Sequence, residues 1–193
     1  EEISDGKLYG PNDLVKADCR DCQGCSDCCC GMGESIVLDP FDVYRLEKGL
    51  ETTFEKLLES RLELHVVDGV ILPNLKMEEG RDRCTFLNDQ GRCGIHPYRP
   101  GICRLFPLGR FYEDHSFRYF LQTGECRNQS RSKIKVKKWI DTPDYKKNEA
   151  FVVRWHYFVK GLQELLCAQP DMEAAKRINL DVLETFFFRG WEE

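Results

Sequence analysis

The residues of this chain that are best suited to chemistry are its cysteines, of which there are eleven among 193 residues. Six of them crowd one short segment, at Cys19, Cys22, Cys25, Cys28, Cys29 and Cys30. Four more follow at wide intervals, at Cys84, Cys93, Cys103 and Cys126, and Cys167 stands alone. Free cysteine is a common core residue, but this clustering exceeds what packing alone would use. The pattern therefore indicates thiol chemistry.

We do not expect these cysteines to form a disulfide framework. Their number is odd, and the three consecutive residues from Cys28 to Cys30 are difficult to pair with one another. The segment from Glu1 to Asp5 has neither a basic stretch nor an apolar core, so we predict no signal peptide. A reducing, cytoplasmic location follows, in which the thiols stay available as metal ligands.

The spacing within the first group is typical of metal ligands. A C-x2-C turn brings two thiolates to one side of a tight loop, where backbone amides stabilise their charge. One register is C-x2-C-x2-C-C from Cys22 to Cys29, and the other is C-x2-C-x2-C-x3-C from Cys19 to Cys29. The second matches the bacterial ferredoxin run, except that Cys30 stands where proline is expected. It is the less favoured register, because a two-cluster ferredoxin repeats the run and this chain does not.

The later cysteines lie in ordered motifs. These are C-T-F-L at 84–87, G-R-C-G-I-H at 91–96 and R-P-G-I-C-R-L-F-P at 99–107, followed by Cys126. Together with C-x2-C-x2-C-C they resemble the YkgJ-like cysteine-cluster family, whose members are described as zinc- or iron-chelating proteins. The resemblance covers the chain from about Asp18 to Trp155. Each motif alone is weak, but their ordered combination is highly specific.

The resemblance implies eight ligand cysteines. They are Cys22, Cys25, Cys28, Cys29, Cys84, Cys93, Cys103 and Cys126. The family pattern thus supports the register that begins at Cys22. Three further cysteines depart from the pattern: we expect Cys167 to be a buried thiol of a long helix, whereas Cys19 and Cys30 fit either ligation or packing.

We expect the bound group to be an iron-sulfur cluster, with [4Fe–4S] as the first candidate. Serial C-x2-C spacing beside an extra cysteine suits a cluster, and eight thiols exceed the four that one tetrahedral zinc takes. The expected role is redox or electron transfer with a redox protein partner. Zinc binding in a structural or interaction module is one alternative, and a cluster-dependent modifying enzyme is another. Adjacent Cys28 and Cys29 in an extended segment would point in opposite directions and could serve two centres.

Outside the cysteines, the chain carries no recognisable catalytic motif. A related cluster occurs in flagellin lysine N-methylases, but the chain has no glycine-rich strand-to-helix fingerprint for a methyl donor. His96, three residues after Cys93, is a candidate further ligand. Arg99 and Arg104 flank Cys103, where they would either offset thiolate charge or form structural ion pairs.

Helix signals occur near both ends of the chain. Asp39-Pro40 predicts a helix to about Gly49, and the capping pattern Thr52-x-x-Glu55 predicts a second to about Arg61. After 141–143, apolar residues recur at helical spacing as far as Leu166, which predicts a long amphipathic helix. A last helix is expected to end at Gly190.

The centre of the chain has strand signals instead. A short strand is expected at 35–38, and Asp68-Gly69 between β-branched residues predicts a hairpin. Two further hairpins are expected around the turns at 88–91 and 113–115. The fold class is therefore α+β, with short hairpins and helices packed around an irregular cysteine-rich centre. We expect one domain over 1–193, with the metal-binding centre at about 18–130 and a helical part at about 139–190.

Composition limits the classes of partner. The net charge is -5, and no apolar stretch reaches the ~20 residues that a membrane helix needs. The run from Arg127 to Lys138 holds six basic residues and no acidic one, but it lacks interleaved aromatic residues for stacking on bases. We therefore expect neither specific nucleic-acid binding nor membrane association.

Overall fold

The described residues form two-stranded antiparallel sheets and α-helices, of which α5 is the longest. The structure is a computed structural model that describes residues 3–19, 25–126, 128, 130–168 and 171–190. The strands are β1 (Leu14–Asp18), β2 (Leu62–Val67), β3 (Val70–Leu75), β4 (Leu108–Glu113), β5 (Ser116–Leu121) and β6 (Ser132–Lys135). The helices are α1 (Pro40–Leu50), α2 (Phe54–Ser60), α3 (Gly101–Leu105), α4 (Val136–Ile140), α5 (Tyr145–Cys167) and α6 (Met172–Leu183). The α+β class predicted from the sequence is confirmed.

Two of the predicted hairpins form. Strands β2 and β3 pair from Leu62 with Leu75 to Val67 with Val70, around a turn in which Asp68 and Gly69 both have positive φ. Strands β4 and β5 pair in the same way around Asp114 and His115, also with positive φ. Both turns have the backbone signs of a type I′ turn, whose twist matches that of the strands it joins.

The other two predicted β elements do not become regular strands. Segment 35–38 is extended but makes only an isolated bridge, between Val37 and Asn74 beside β3. The third predicted hairpin, around 88–91, has only the bridge between Leu87 and Cys93. Here the backbone of Gly94 donates to Phe86 and the chain curls into successive turns, so no ladder extends from the bridge.

The first hydrophobic core lies between α1, α2, the β2–β3 hairpin and the ends of α5 and α6. Its fully buried members include Leu46, Phe54 and Val70. Helix α1 starts at a capping box in which the Asp39 carboxylate accepts from Asp42 N and the Asp42 carboxylate accepts from Asp39 N. Helix α2 is capped by Thr53, one residue after the predicted Thr52.

A second core lies between β1, β5, α4 and the first half of α5. Val15, Leu108, Tyr119 and Val136 are buried in it. Strand β6 pairs with β1, which the sequence pattern alone did not indicate. Helix α5 contributes to both cores, with Val152 in the second and Leu166 in the first. In the described part of the chain, no helix is both long and apolar enough to cross a membrane.

The prediction that Cys167 is a core residue is wrong. The inward face of α5 follows the helical period through Val152, Val159 and Leu166. Cys167 is the next residue after Leu166 and is therefore rotated about 100° away from that face. Its side chain is exposed in the last turn of the helix.

One buried amide joins α6 to the β2–β3 hairpin. Asn179 is only 6% exposed; its Oδ1 accepts from Ile71 N at 2.7 Å, and its Nδ2 donates to Gly69 O at 3.1 Å. The side chain therefore satisfies two backbone groups of the hairpin. Removing it would leave a buried N–H without a partner.

We predict that Asn179→Ala lowers the free energy of unfolding by about 1–3 kcal/mol, because a buried donor loses its acceptor. Urea denaturation followed by circular dichroism measures the change. Exposed Asn12 is the matched control, and Asn12→Ala should change stability by less than about 0.5 kcal/mol. Equal effects of the two substitutions would show that the Asn179 link carries no stability.

Candidate metal centre

Six of the eight predicted ligand cysteines line a single cavity. They are Cys25, Cys28, Cys29, Cys84, Cys93 and Cys103. The cavity measures about 50 Å³, far below the ~300 Å³ at which pockets for organic ligands begin. Apolar side chains, including Ile36 and Leu75, complete its wall against the first core. The cavity is therefore a small, sulfur-rich space at the edge of a hydrophobic core.

Cys28 and Cys29 both face this cavity, which corrects the expectation that they point in opposite directions. That expectation assumed an extended segment. The segment Asp27–Cys29 is instead one turn of 3-10 helix, closed by Cys29 N donating to Ser26 O at 2.8 Å. Consecutive residues of such a turn are rotated by about 120°, so adjacent side chains can line one space.

Backbone hydrogen bonds hold the two cysteine groups together. Cys84 N donates to Cys29 O at 2.8 Å, and Cys30 forms a bridge with Arg83. Leu87 N then donates to Cys84 O, and the bridge between Leu87 and Cys93 places Cys93 near Cys84. The irregular loop that replaces the predicted hairpin is thus the element that positions Cys84 and Cys93.

Cys103 lies in α3, and the buried carboxylate of Asp42 holds that short helix in position. Asp42 on α1 is 5% exposed, and its Oδ1 accepts from Gly101 N at 2.7 Å. Arg104, 6% exposed, donates to the carbonyls of Arg99, Asp141 and Pro97. Sequence reasoning missed the role of Asp42, since only its position in the first turn of α1 was visible.

The thiols at the centre of the cavity are electrostatically linked. Hydrogen bonds join Cys29 to Cys28 and to Cys93. The hydrogen bond from Cys29 lowers the pKa of Cys28 to about 7, with the positive charge of Arg99 acting in the same direction against burial. The same hydrogen bond, with Arg99 and Arg92 nearby, lowers the pKa of Cys93 to about 7. Cys29 has one S–H to donate, so this group of three thiols favours a thiolate at Cys28 or at Cys93, the form in which cysteine binds metals.

The remaining described thiols of the cavity favour the protonated form. The hydrogen bonds with Cys28 and Cys93 raise the pKa of Cys29. Burial raises the pKa of Cys84 and, further, that of Cys103. A cation bound among these sulfurs would compensate the cost of deprotonating them, so metal binding here should release protons.

Arg99 and Arg104 have different roles, although both flank Cys103. Arg99 lines the cysteine cavity, and its charge lowers the thiol pKa values described above. Its Nη1 lies 3.0 Å from His96 Nε2. Arg104 instead donates hydrogen bonds to backbone carbonyls. Its role in the fold is therefore structural, and it rests on these hydrogen bonds rather than on an ion pair. His96 also lines the cavity, with Nε2 directed to Arg99.

The other cysteines differ in placement. Cys22 lies outside the described residues. Cys126 is buried, but it is not among the residues that line the cysteine cavity. Cys19 is buried in the second core, and Cys30 is exposed. The ten cysteines of the described ranges are free thiols.

The donor set fits a thiophilic metal. Cysteine sulfur is the donor that zinc and iron-sulfur clusters share, and Arg92 and Arg99 stand beside it as counter-charges. Sequence reasoning did not single out Arg92, nor the thioethers of Met32 and Met77 in the wall. Among the described residues, which omit Cys22, no group of three or more His, Cys, Asp or Glu side chains is arranged to hold one metal ion.

Comparison with known proteins gives one match. The family model CxxCxxCC, described as a "putative zinc- or iron-chelating domain", matches residues 21–126, more than half of the chain. The match spans all eight predicted ligand cysteines and excludes Cys19 and Cys167. It ends before the helical part, earlier than the limit near Trp155 expected from the motifs. No curated protein and no solved structure matches.

We predict that Cys29→Ser strips metal from the protein while Cys30→Ser does not. The two residues are adjacent, but only Cys29 faces the cavity. Changes in groups that merely orient ligands cost 10–100-fold in metal affinity, so loss of a ligand should cost more than about 100-fold. Metal content of the purified variants, measured by plasma mass spectrometry, is the readout. Equal metal loss in both variants would contradict the assignment.

A second prediction concerns pH. Burial, together with the nearby carboxylate of Asp42, raises the pKa of Asp39 from 3.8 to about 8. The folded state thus holds this proton more tightly than the unfolded state, so the contribution of Asp39 to the free energy of unfolding is full below about pH 4 and is lost as the pH rises to about 8. Asp39→Asn retains a capping side chain and should flatten this decline in urea denaturation.

The matched control is Asp171, the exposed N-cap of α6. Asp171→Asn makes the same change at an exposed N-cap, and so shows whether replacing any capping aspartate alters the pH profile. If Asp39→Asn kept the full decline, the Asp39 carboxylate would not be its source.

Proposed function

The chain belongs to the CxxCxxCC family of zinc- or iron-chelating domains, and from that premise we propose that it binds an iron-sulfur cluster, [4Fe–4S] in the first instance, for redox or electron transfer. The observation that carries this proposal is the convergence of six cysteines on one cavity. One tetrahedral zinc takes four sulfurs, whereas a cluster needs thiolates spread over a larger object.

The contributing residues come from separate parts of the chain. Cys25, Cys28 and Cys29 belong to the first group, Cys84 and Cys93 to the central loop, and Cys103 to α3. A centre held in this way would crosslink segments that are far apart in sequence, so its binding free energy would also stabilise the fold.

The surroundings suit a centre that carries negative charge. Thiolate ligands accumulate charge, and Arg99 and Arg92 lie against the sulfurs to offset it. The apolar wall, with Ile36 4% and Leu75 2% exposed, restricts water on the core side. When bound, a cluster would supply one-electron chemistry; the protein would hold it, exclude water and tune its potential through charge and burial.

Zinc is the second candidate, and one contact favours it. Cys29 lies within hydrogen-bonding reach of both Cys28 and Cys93. Sulfurs that share a zinc at ~2.3 Å are similarly close, whereas cluster ligands stand further apart. In that case the centre would stabilise a structural or interaction module.

The cellular setting is part of the proposal. Free thiols at Cys25, Cys28 and the other described positions fit a reducing compartment, so we propose the cytoplasm. The redox partner would be another protein. Neither nucleic acid nor a membrane is required.

We predict that protein purified without oxygen is brown and contains iron and acid-labile sulfide in near-equal amounts. Visible absorption, iron and sulfide assays on the same sample test this, and Cys103→Ser should lower iron and sulfide together. A colourless protein with stoichiometric zinc and no sulfide would refute the cluster and favour the second candidate.

A further inference from the structure

A second and larger pocket adjoins the cysteine cavity. It has a volume of about 530 Å³, within the range of pockets for small organic ligands. His96 and Arg99 line both spaces, so this wall separates the cysteines from the second pocket. The loop after α4, at 141–143, forms another side of it.

Positive charge is concentrated in this pocket. Three arginines, Arg45, Arg99 and Arg104, line it together with Lys138. Burial lowers the pKa of Arg45, and the nearby positive charge of Arg99 acts in the same direction, against the carboxylates of Asp42 and Asp39. Gathering like charges at a partly buried site costs free energy, and a bound anion would recover it.

Arg45 and Arg104 donate to backbone carbonyls, and the carboxylates of Asp39, Asp42 and Asp141 act on their charge only from a longer distance. Arg104 donates to three backbone carbonyls, and Arg45 Nη2 donates to Pro97 O at 3.0 Å. Asp18 and Asp141 also line the pocket. No carboxylate of the described residues lies within 4.0 Å of any of the three guanidinium groups. Arg99 Nε is buried and has no hydrogen-bond partner in the described ranges.

The remaining wall is apolar. Trp139 is 8% exposed and faces the pocket together with Ile134, Pro97 and Pro143. A ligand with a charged end and an apolar or aromatic body would match both surfaces. Several guanidinium groups favour a dianion over a monoanion, and arginine binds phosphate through paired hydrogen bonds.

We propose that this pocket binds a small organic phosphate, with the phosphate group among Arg45, Arg99 and Lys138 and the organic part against Trp139. The site goes beyond the proposed metal-binding function and does not depend on which metal the cysteines hold. Because Arg99 and His96 form the shared wall, the bound phosphate would lie beside the metal centre.

Calorimetric titration of the purified, metal-containing protein tests the proposal, with ionic strength held constant. Phenyl phosphate should bind more tightly than inorganic phosphate, which lacks the organic part, and more tightly than benzoate, which carries one charge. Arg45→Gln and Lys138→Gln should each weaken phenyl phosphate binding by about tenfold or more, or ~1.4 kcal/mol. Lys138 is exposed, so its variant should fold even if Arg45→Gln does not.

The matched control is Arg81→Gln, which removes one positive charge from a side chain that is 73% exposed and outside the pocket. It should leave phenyl phosphate binding unchanged. No binding up to about 10 mM, equal affinity for benzoate, or equal weakening by the control would each overturn the proposal. Metal content, measured in every sample, keeps this outcome separate from that of the metal-binding function.

Discussion

Bringing thiols from distant segments to one small cavity is the constraint on which the rest of this structure depends. Thiolates close together repel one another, and buried thiols resist ionisation, as the raised pKa of Cys103 shows. The fold meets this constraint with short, rigid connections. A 3-10 turn places Cys28 and Cys29, and a buried hydrogen bond from Gly101 to Asp42 fixes the helix that carries Cys103. The first hydrophobic core packs against these connections, with Cys29, Cys93 and Cys103 in contact with it.

Arginine connects the cysteine cavity to its surroundings. Arg99 lowers the pKa of nearby thiols and also lines the second pocket, so one side chain bears on both sites. Arg104, by contrast, donates hydrogen bonds to three backbone carbonyls. One of them is that of Asp141, so Arg104 holds the loop at 141–143 in place. An anion bound in the second pocket would offset the positive charge of Arg99, and Arg99 would then lower the pKa of the nearby thiols less. The two sites are therefore expected to influence each other electrostatically.

Local signals in the sequence predicted the parts of the fold that local physics determines. Asp68-Gly69 predicted its hairpin and Asp39-Pro40 its helix, because turn and cap preferences act over a few residues. The 3-10 turn at Cys28, the irregular path to Cys93 and the pairing of β1 with β6 depend on distant contacts, so spacing alone could not reveal them. Motif resemblance identified the family, and the structure brings six of the implied ligands together while leaving Cys126 outside the lining of the cavity.

The central claim is that sulfur atoms of this cavity are the metal ligands of the protein. X-ray absorption spectroscopy at the edge of the bound metal, on protein purified without oxygen, tests it most directly. The account predicts a first shell made of sulfur alone at about 2.3 Å, with a second shell of iron for the cluster. A first shell of nitrogen or oxygen would contradict it, because the cysteine cavity would then not be the place where the metal binds.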